Sequence, residues 1–168
     1  MKLTAEELSY RARALAQAHP LTALAKSYLD RAVAQQRLSQ PIPEIGIWAG
    51  ASLLNGYCLR CVEENDADVL LAAATDDSAF PDLDQLDDLA TQVAAELRSE
   101  TGNRHILGDD GVFDALDRII NSEVNNRLGH WRDTIDDDAW AEMEEYITWW
   151  VVKGYALRVA ETMTGALL

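Results

Sequence analysis

Cysteine is scarce in this 168-residue chain, which has only Cys58 and Cys61. That excludes a disulfide framework, and none is needed, since a domain of this length buries about 70% of the surface its unfolded chain exposes. Proline and glycine are sparse too, at four and nine residues, which excludes collagen-like and low-complexity chains and leaves long stretches for regular structure. Basic residues are outnumbered, 14 Lys and Arg against 29 Asp and Glu, for a formal net charge of −15. A field of that sign repels phosphate backbones and anionic headgroups, so neither nucleic acid nor a membrane surface is an expected partner. The simplest role for the charge is a solubilising shell, and the partner it would attract is a basic protein. Long apolar runs are missing as well. The densest, ITWWVV at 147–152, falls far short of the roughly 20 residues of a membrane span, and the N-terminal MKLTAEELSYRARALAQAHP has no apolar signal core. The expectation is one soluble, cytoplasmic domain over residues 1–168.

No segment alternates apolar and polar residues as a half-buried strand does, and no turn dipeptide joins two β-branched runs. What is present has helical spacing, and it predicts an all-α bundle of about six helices. Thr4 and Glu7 form a capping-box pattern ahead of Leu8, Ala12, Leu15 and Ala16. His19-Pro20 ends that helix, and Pro20 is placed to open the next at its first position, with Leu21, Leu24, Ala25, Tyr28 and Ala32 on one stripe. A third helix, about 44–64, is apolar almost all round from Ile45 to Leu54, as a helix surrounded by others would be. VLLAAA (69–74) has the length of one short helix, followed by a loop, TDDSAFP. Asp82 and Gln85 cap a fourth helix carrying Leu86, Leu89, Ala90, Val93, Ala94 and Leu97, which Gly102 ends. A fifth runs from about Asp109 or Asp110, with Phe113, Leu116, Ile120 and Val124 inward, to Gly129. The last follows the Asp136-Asp137-Asp138 cluster, whose charge suits a helix N-terminus, and spans about 137–164.

The two apolar helices resemble each other. A shift of 98 positions sets residues 44–64 over 142–162 and matches Glu44/Glu142, Gly56/Gly154, Tyr57/Tyr155, Leu59/Leu157, Arg60/Arg158 and Glu63/Glu161 without a gap. Upstream, YLDRAV (28–33) resembles ALDRII (115–120) at a shift of 87. The pattern points to an internal duplication, with pseudo-repeats over 20–66 and 105–164.

That comparison bears on the thiols. Where the first copy has Cys58 and Cys61, the second has Ala156 and Val159, residues that can only pack. Redox pairs of this spacing gain reactivity at a helix N-terminus, whereas these fall mid-helix. A zinc site would need further ligands, and His19, His105 and His130 fall at predicted helix ends or loops. The cysteines are therefore read as core, and no metal or cofactor is expected.

Both copies keep Gly-Tyr-x-Leu-Arg-x-x-Glu, which lines up Gly56, Arg60 and Glu63, and likewise Gly154, Arg158 and Glu161, on one helix face. A mid-helix glycine costs about 1 kcal/mol against alanine, and close approach of another backbone is the usual compensation, so both glycines are expected at tight crossings of the central helices. The Arg/Glu pairs are either buried ion pairs or, together with the tyrosines, a ligand site. If the two helices run parallel, the charges converge. The candidate binding residues are Tyr57, Arg60, Glu63, Tyr155, Arg158 and Glu161.

Glu63, Glu123, Glu142, Glu145 and Glu161 are carboxylates enough to make a magnesium-dependent phosphate hydrolase conceivable, but no Glu-x-x-His pair, EF-hand loop, phosphate loop or G-x-S-x-G elbow occurs. Trp131, Trp140, Tyr146, Trp149 and Trp150 form an aromatic cluster suited to core packing or to an interface between subunits. The sequence therefore favours a homodimeric interaction or regulatory module. The alternative is a small-anion or phosphate-ligand-binding protein, or an enzyme, with its pocket between the two central helices.

Overall fold

The computed structural model describes residues 4–18, 21–39, 43–64, 83–98 and 111–167. They form six α-helices and no strand: α1 (Ala5–Gln17), α2 (Ala23–Ser39), α3 (Pro43–Glu64), α4 (Leu83–Arg98), α5 (Gly111–Leu128) and α6 (Asp137–Leu167), with a 3₁₀ turn (Gly129–Trp131) after α5. None of the described helices is long and apolar enough to cross a membrane. The expected short helix over 69–74 and its following loop, the stops at His19-Pro20 and Gly102, and the caps at Asp82 and Asp109–Asp110 lie outside the described residues.

Helix starts follow side-chain capping, as orphan N–H groups require. Thr4 accepts from the Glu7 N–H at 3.2 Å and Asp136 from the Ala139 N–H at 2.7 Å. At α2 the start moves from the expected Pro20 to Ala23. The reason is Thr22, whose Oγ1 accepts from the Ala25 N–H at 3.0 Å while its carbonyl accepts from Lys26 N–H at 2.9 Å.

The directions of the central helices follow from named contacts. Thr22, at the start of α2, bonds Glu161 near the end of α6, and Gln36 near the end of α2 accepts from Tyr146 near the start of α6. These two helices are antiparallel. With only residues 40–42 between them, α3 folds back on α2, bringing Gly50 against Val33. Helices α3 and α6 therefore run parallel, and they pack on each other more extensively than any other pair.

Around them the core divides into two clusters. One holds Leu8, Ala12 and Ala16 of α1 with Ala115, Leu116 and Ile119 of α5 and Val93, Ala94 and Leu97 of α4. The other holds Leu24, Tyr28 and Ala32 of α2 with Leu86 and Ala90 of α4. The central helices feed both, with Cys58, Tyr155, Ala156 and Val159 in the first and Leu53, Tyr57, Cys61 and Leu157 in the second. Trp150 is buried, and Trp149 is half-buried against both clusters.

Candidate functional site

At their crossing α3 and α6 approach to backbone contact. A Cβ on Gly56 would stand 1.9 Å from the Val151 carbonyl oxygen, and one on Gly154 would stand 1.9 Å from that of Leu53. Both glycines therefore mark the crossing of the central helices with each other, and only the missing side chain permits that separation. The matching tyrosines follow the glycines directly and the matching arginines follow one turn later, and each arginine meets the other helix's tyrosine across the crossing.

Tyr57, Tyr155, Arg158 and Glu161 are buried, Arg158 to 4% and Glu161 to 7% exposure, while Arg60 is half-buried. The Tyr57 hydroxyl donates to Glu161 Oε1 at 2.6 Å, and Arg158 Nη1 donates to the same oxygen at 2.6 Å. Thr22 Oγ1 donates to Glu161 Oε2 at 2.5 Å. Arg60 Nη1 donates to the Tyr155 hydroxyl at 3.0 Å and its guanidinium lies 5.5 Å from that ring's centre. Arg158 repeats the arrangement over Tyr57 at 5.8 Å. Five of the six residues singled out in the sequence thus meet across the crossing in two sets, Arg60 with Tyr155 and Tyr57 with Arg158 and Glu161, and the side chain of Glu63 lies outside the described residues. The sequence reading missed Thr22, whose signal was a threonine two residues ahead of Leu24, the first buried position of α2.

Such a network is held by exchange of charge and hydrogen bonds in a place water does not reach, where each unpaired group would be costly. Burial, and next the Glu161 carboxylate, push the Tyr57 phenol far above its ordinary value. Burial does the same to Tyr28, helped by its bond to Asp87, and pushes Tyr146 up to about 12. These phenols are neutral in the folded protein well past the pH at which they ionise in an unfolded chain, about pH 10. Their contribution is complete below that pH and is lost as pH rises toward their folded values. In a Tyr10→Phe variant, which removes the exposed tyrosine, alkaline titration should therefore show tyrosinate absorbance lagging behind a free-tyrosine standard, then rising together with loss of helix. Tyrosinate appearing at the free-tyrosine pH with the helical signal intact would contradict the burial.

A second polar cluster ties α6 to α2 and α4. Lys153 is buried, donates to Thr91 Oγ1 at 2.7 Å and Asp87 Oδ1 at 3.2 Å, and lies near the rings of Trp149 and Tyr28. Burial opposes the Asp87 charge, but Tyr28, Lys153 and Arg31 more than offset it and hold the carboxyl below its usual range. Trp149 is thus engaged within the bundle.

The cysteines are free and buried, and burial, then the neighbouring Cys61, push the Cys58 thiol well above the usual thiol range. That is the reverse of a reactive thiolate. The glutamates considered for magnesium diverge: Glu123 takes bonds from Asn55 and Arg127, Glu145 pairs with Arg98, and Glu161 serves the central network. Among the described residues no group of three or more His, Cys, Asp or Glu is placed to hold a metal ion.

A concave surface lies elsewhere. Between α2 and α3 a groove of about 590 Å³ is lined by Leu21, Leu29, Val33, Ile47, Gly50 and Leu54, with Lys26 and Asp30 also at its edge. Ile47 is 50% exposed. The matching stripe of α6 carries Glu145, Thr148 and Trp149 in place of Ile47, Gly50 and Ala51; there Arg98 pairs with Glu145 and Trp149 packs into the core. Small residues on α3 leave space where α6 fills it. No family model matches the chain, and comparison with curated proteins and with solved structures finds no match either.

Proposed function

We propose that the protein acts by protein association, as a homodimeric interaction or regulatory module whose docking face is the α2–α3 groove. The observation that carries this is Ile47, a large apolar side chain half in solvent beside an apolar groove, on a protein whose formal net charge is −15. Contiguous exposed apolar surface of that kind marks interaction sites. The two arginines at the crossing support the same reading, since each already has a protein partner.

Two copies carrying −15 each repel one another, so salt should strengthen self-association by screening. Sedimentation over a wide range of protein concentration should show a dimer that tightens with added salt and is lost in Ile47→Lys, whose thermal midpoint stays near wild type. Binding weakened by salt would instead identify a basic partner. A monomer under every condition, with Ile47→Lys indistinguishable from wild type, would remove the homodimer.

The small-anion reading rests on Arg60, which is half-buried beside Tyr155. Inorganic phosphate that raises the thermal midpoint of wild type but not of Arg60→Ala would favour it.

A further inference from the structure

The contacts across the central crossing are returned in kind. A shift of 98 carries Leu53, Gly56, Tyr57 and Arg60 onto Val151, Gly154, Tyr155 and Arg158. Gly56 lies against Val151 and Gly154 against Leu53; Arg60 stands over Tyr155 and Arg158 over Tyr57. This is the isologous pattern of a twofold interface, in which residue i meets j as j's counterpart meets i's.

The same relation governs the outer helices. A shift of 78 takes Leu8, Ala12 and Ala16 of α1 onto Leu86, Ala90 and Ala94 of α4, and the shift of 87 takes Tyr28 and Ala32 of α2 onto Ala115 and Ile119 of α5. Leu8 and Ala12 share a core cluster with Ala115 and Ile119, while Leu86 and Ala90 share the other with Tyr28 and Ala32. The two clusters thus correspond at these positions, while Ala94, with Val93 and Leu97, joins Ala16 in the first cluster; the sequence of two outer helices followed by a long central one occurs twice.

We infer that the chain is two copies of one three-helix unit, residues 5–64 and 83–167, and that the α3–α6 face is a self-recognition surface whose partner is a second copy of that unit. In each core cluster the first helix of one unit packs with the second helix of the other, and the first cluster also takes Val93, Ala94 and Leu97 of α4. Neither unit therefore encloses a core by itself, and side chains rather than the covalent link hold the pair together.

The test uses the whole chain, with a specific protease site inserted within residues 65–82 and cleaved after folding. The two fragments should co-elute as a one-to-one complex and unfold in urea in a single transition. After unfolding and refolding with isotope-labelled cleaved protein, native mass spectrometry should find mixed complexes, and pairs of like fragments would equally support self-recognition. Fragments that separate on cleavage while each keeps its helical signal, or that unfold in two independent transitions, would show two self-sufficient domains and overturn the inference.

Discussion

Glu161→Ala is expected to lower the stability of the folded protein by about 3–5 kcal/mol, the usual consequence of removing one partner from a buried ion pair. Three donors converge on this carboxylate, from Thr22, Tyr57 and Arg158. Its loss strands a guanidinium with 4% exposure and leaves two hydroxyls to find other acceptors in a closed interior. Because α2, α3 and α6 each send one of these donors, the substitution also loosens the helices from one another. Native domains have only about 5–15 kcal/mol in hand, so the urea midpoint should fall steeply. The contrast is Asp84→Ala, which removes an exposed partner of Arg31 and should shift stability by less than about 1 kcal/mol. Equal, small effects from the two substitutions would mean that the Glu161 network is open to water.

The second large effect is expected at the crossing. Gly56→Val and Gly154→Val each direct a branched side chain at a backbone carbonyl already within 1.9 Å of the first added carbon. A backbone oxygen in mid-helix cannot rotate aside as a side chain can. The helices must therefore part along their length, and the cost should reach or exceed the upper end of the roughly 1–3 kcal/mol typical of overpacking. Since an added carbon at either glycine meets a backbone oxygen at the same distance, their costs should be similar. Far-UV circular dichroism should keep its helical signature while the near-UV signal of the buried aromatics and the sharpness of unfolding decline. Gly129→Ala, where an added carbon meets nothing within 4 Å, is the neutral control. A variant at Gly56 or Gly154 as stable as that control would show that the helices are not in backbone contact.

Much of this was legible in the sequence because it depends on local pattern. Apolar spacing gave the all-α class and the helices, and all-round apolarity placed 44–64 and 137–164 at the centre. The Gly-Tyr-x-Leu-Arg-x-x-Glu pattern located both the crossing and the polar network. What escaped depends on direction and on neighbours distant in the chain. That Arg60 pairs with Tyr155 and Arg158 with Tyr57 follows only once the helices are known to be parallel, which no single helix reveals. The likeness of α1 to α4 was hidden because its shift of 78 differs from 87 and 98, and because Leu-x-x-x-Ala-x-x-x-Ala is ordinary helix composition. Thr22 reads as a residue after a proline until its acceptor, Glu161, is placed beside it. The groove exists because Gly50 and Ala51 are small where Thr148 and Trp149 are not, a difference that acquires meaning only when the two stripes are superposed.

The interleaved core has a consequence for how the protein is made. During synthesis α1, α2 and α3 leave the ribosome with their apolar faces complete but with no α4, α5 or α6 to cover them. Long-range contacts of this kind slow the folding of a helical protein relative to a bundle closed by adjacent hairpins. Until α6 has emerged, α1, α2 and α3 expose the surface with which that unit recognises its counterpart. On a polysome, the nearest such counterpart is the one on the neighbouring chain.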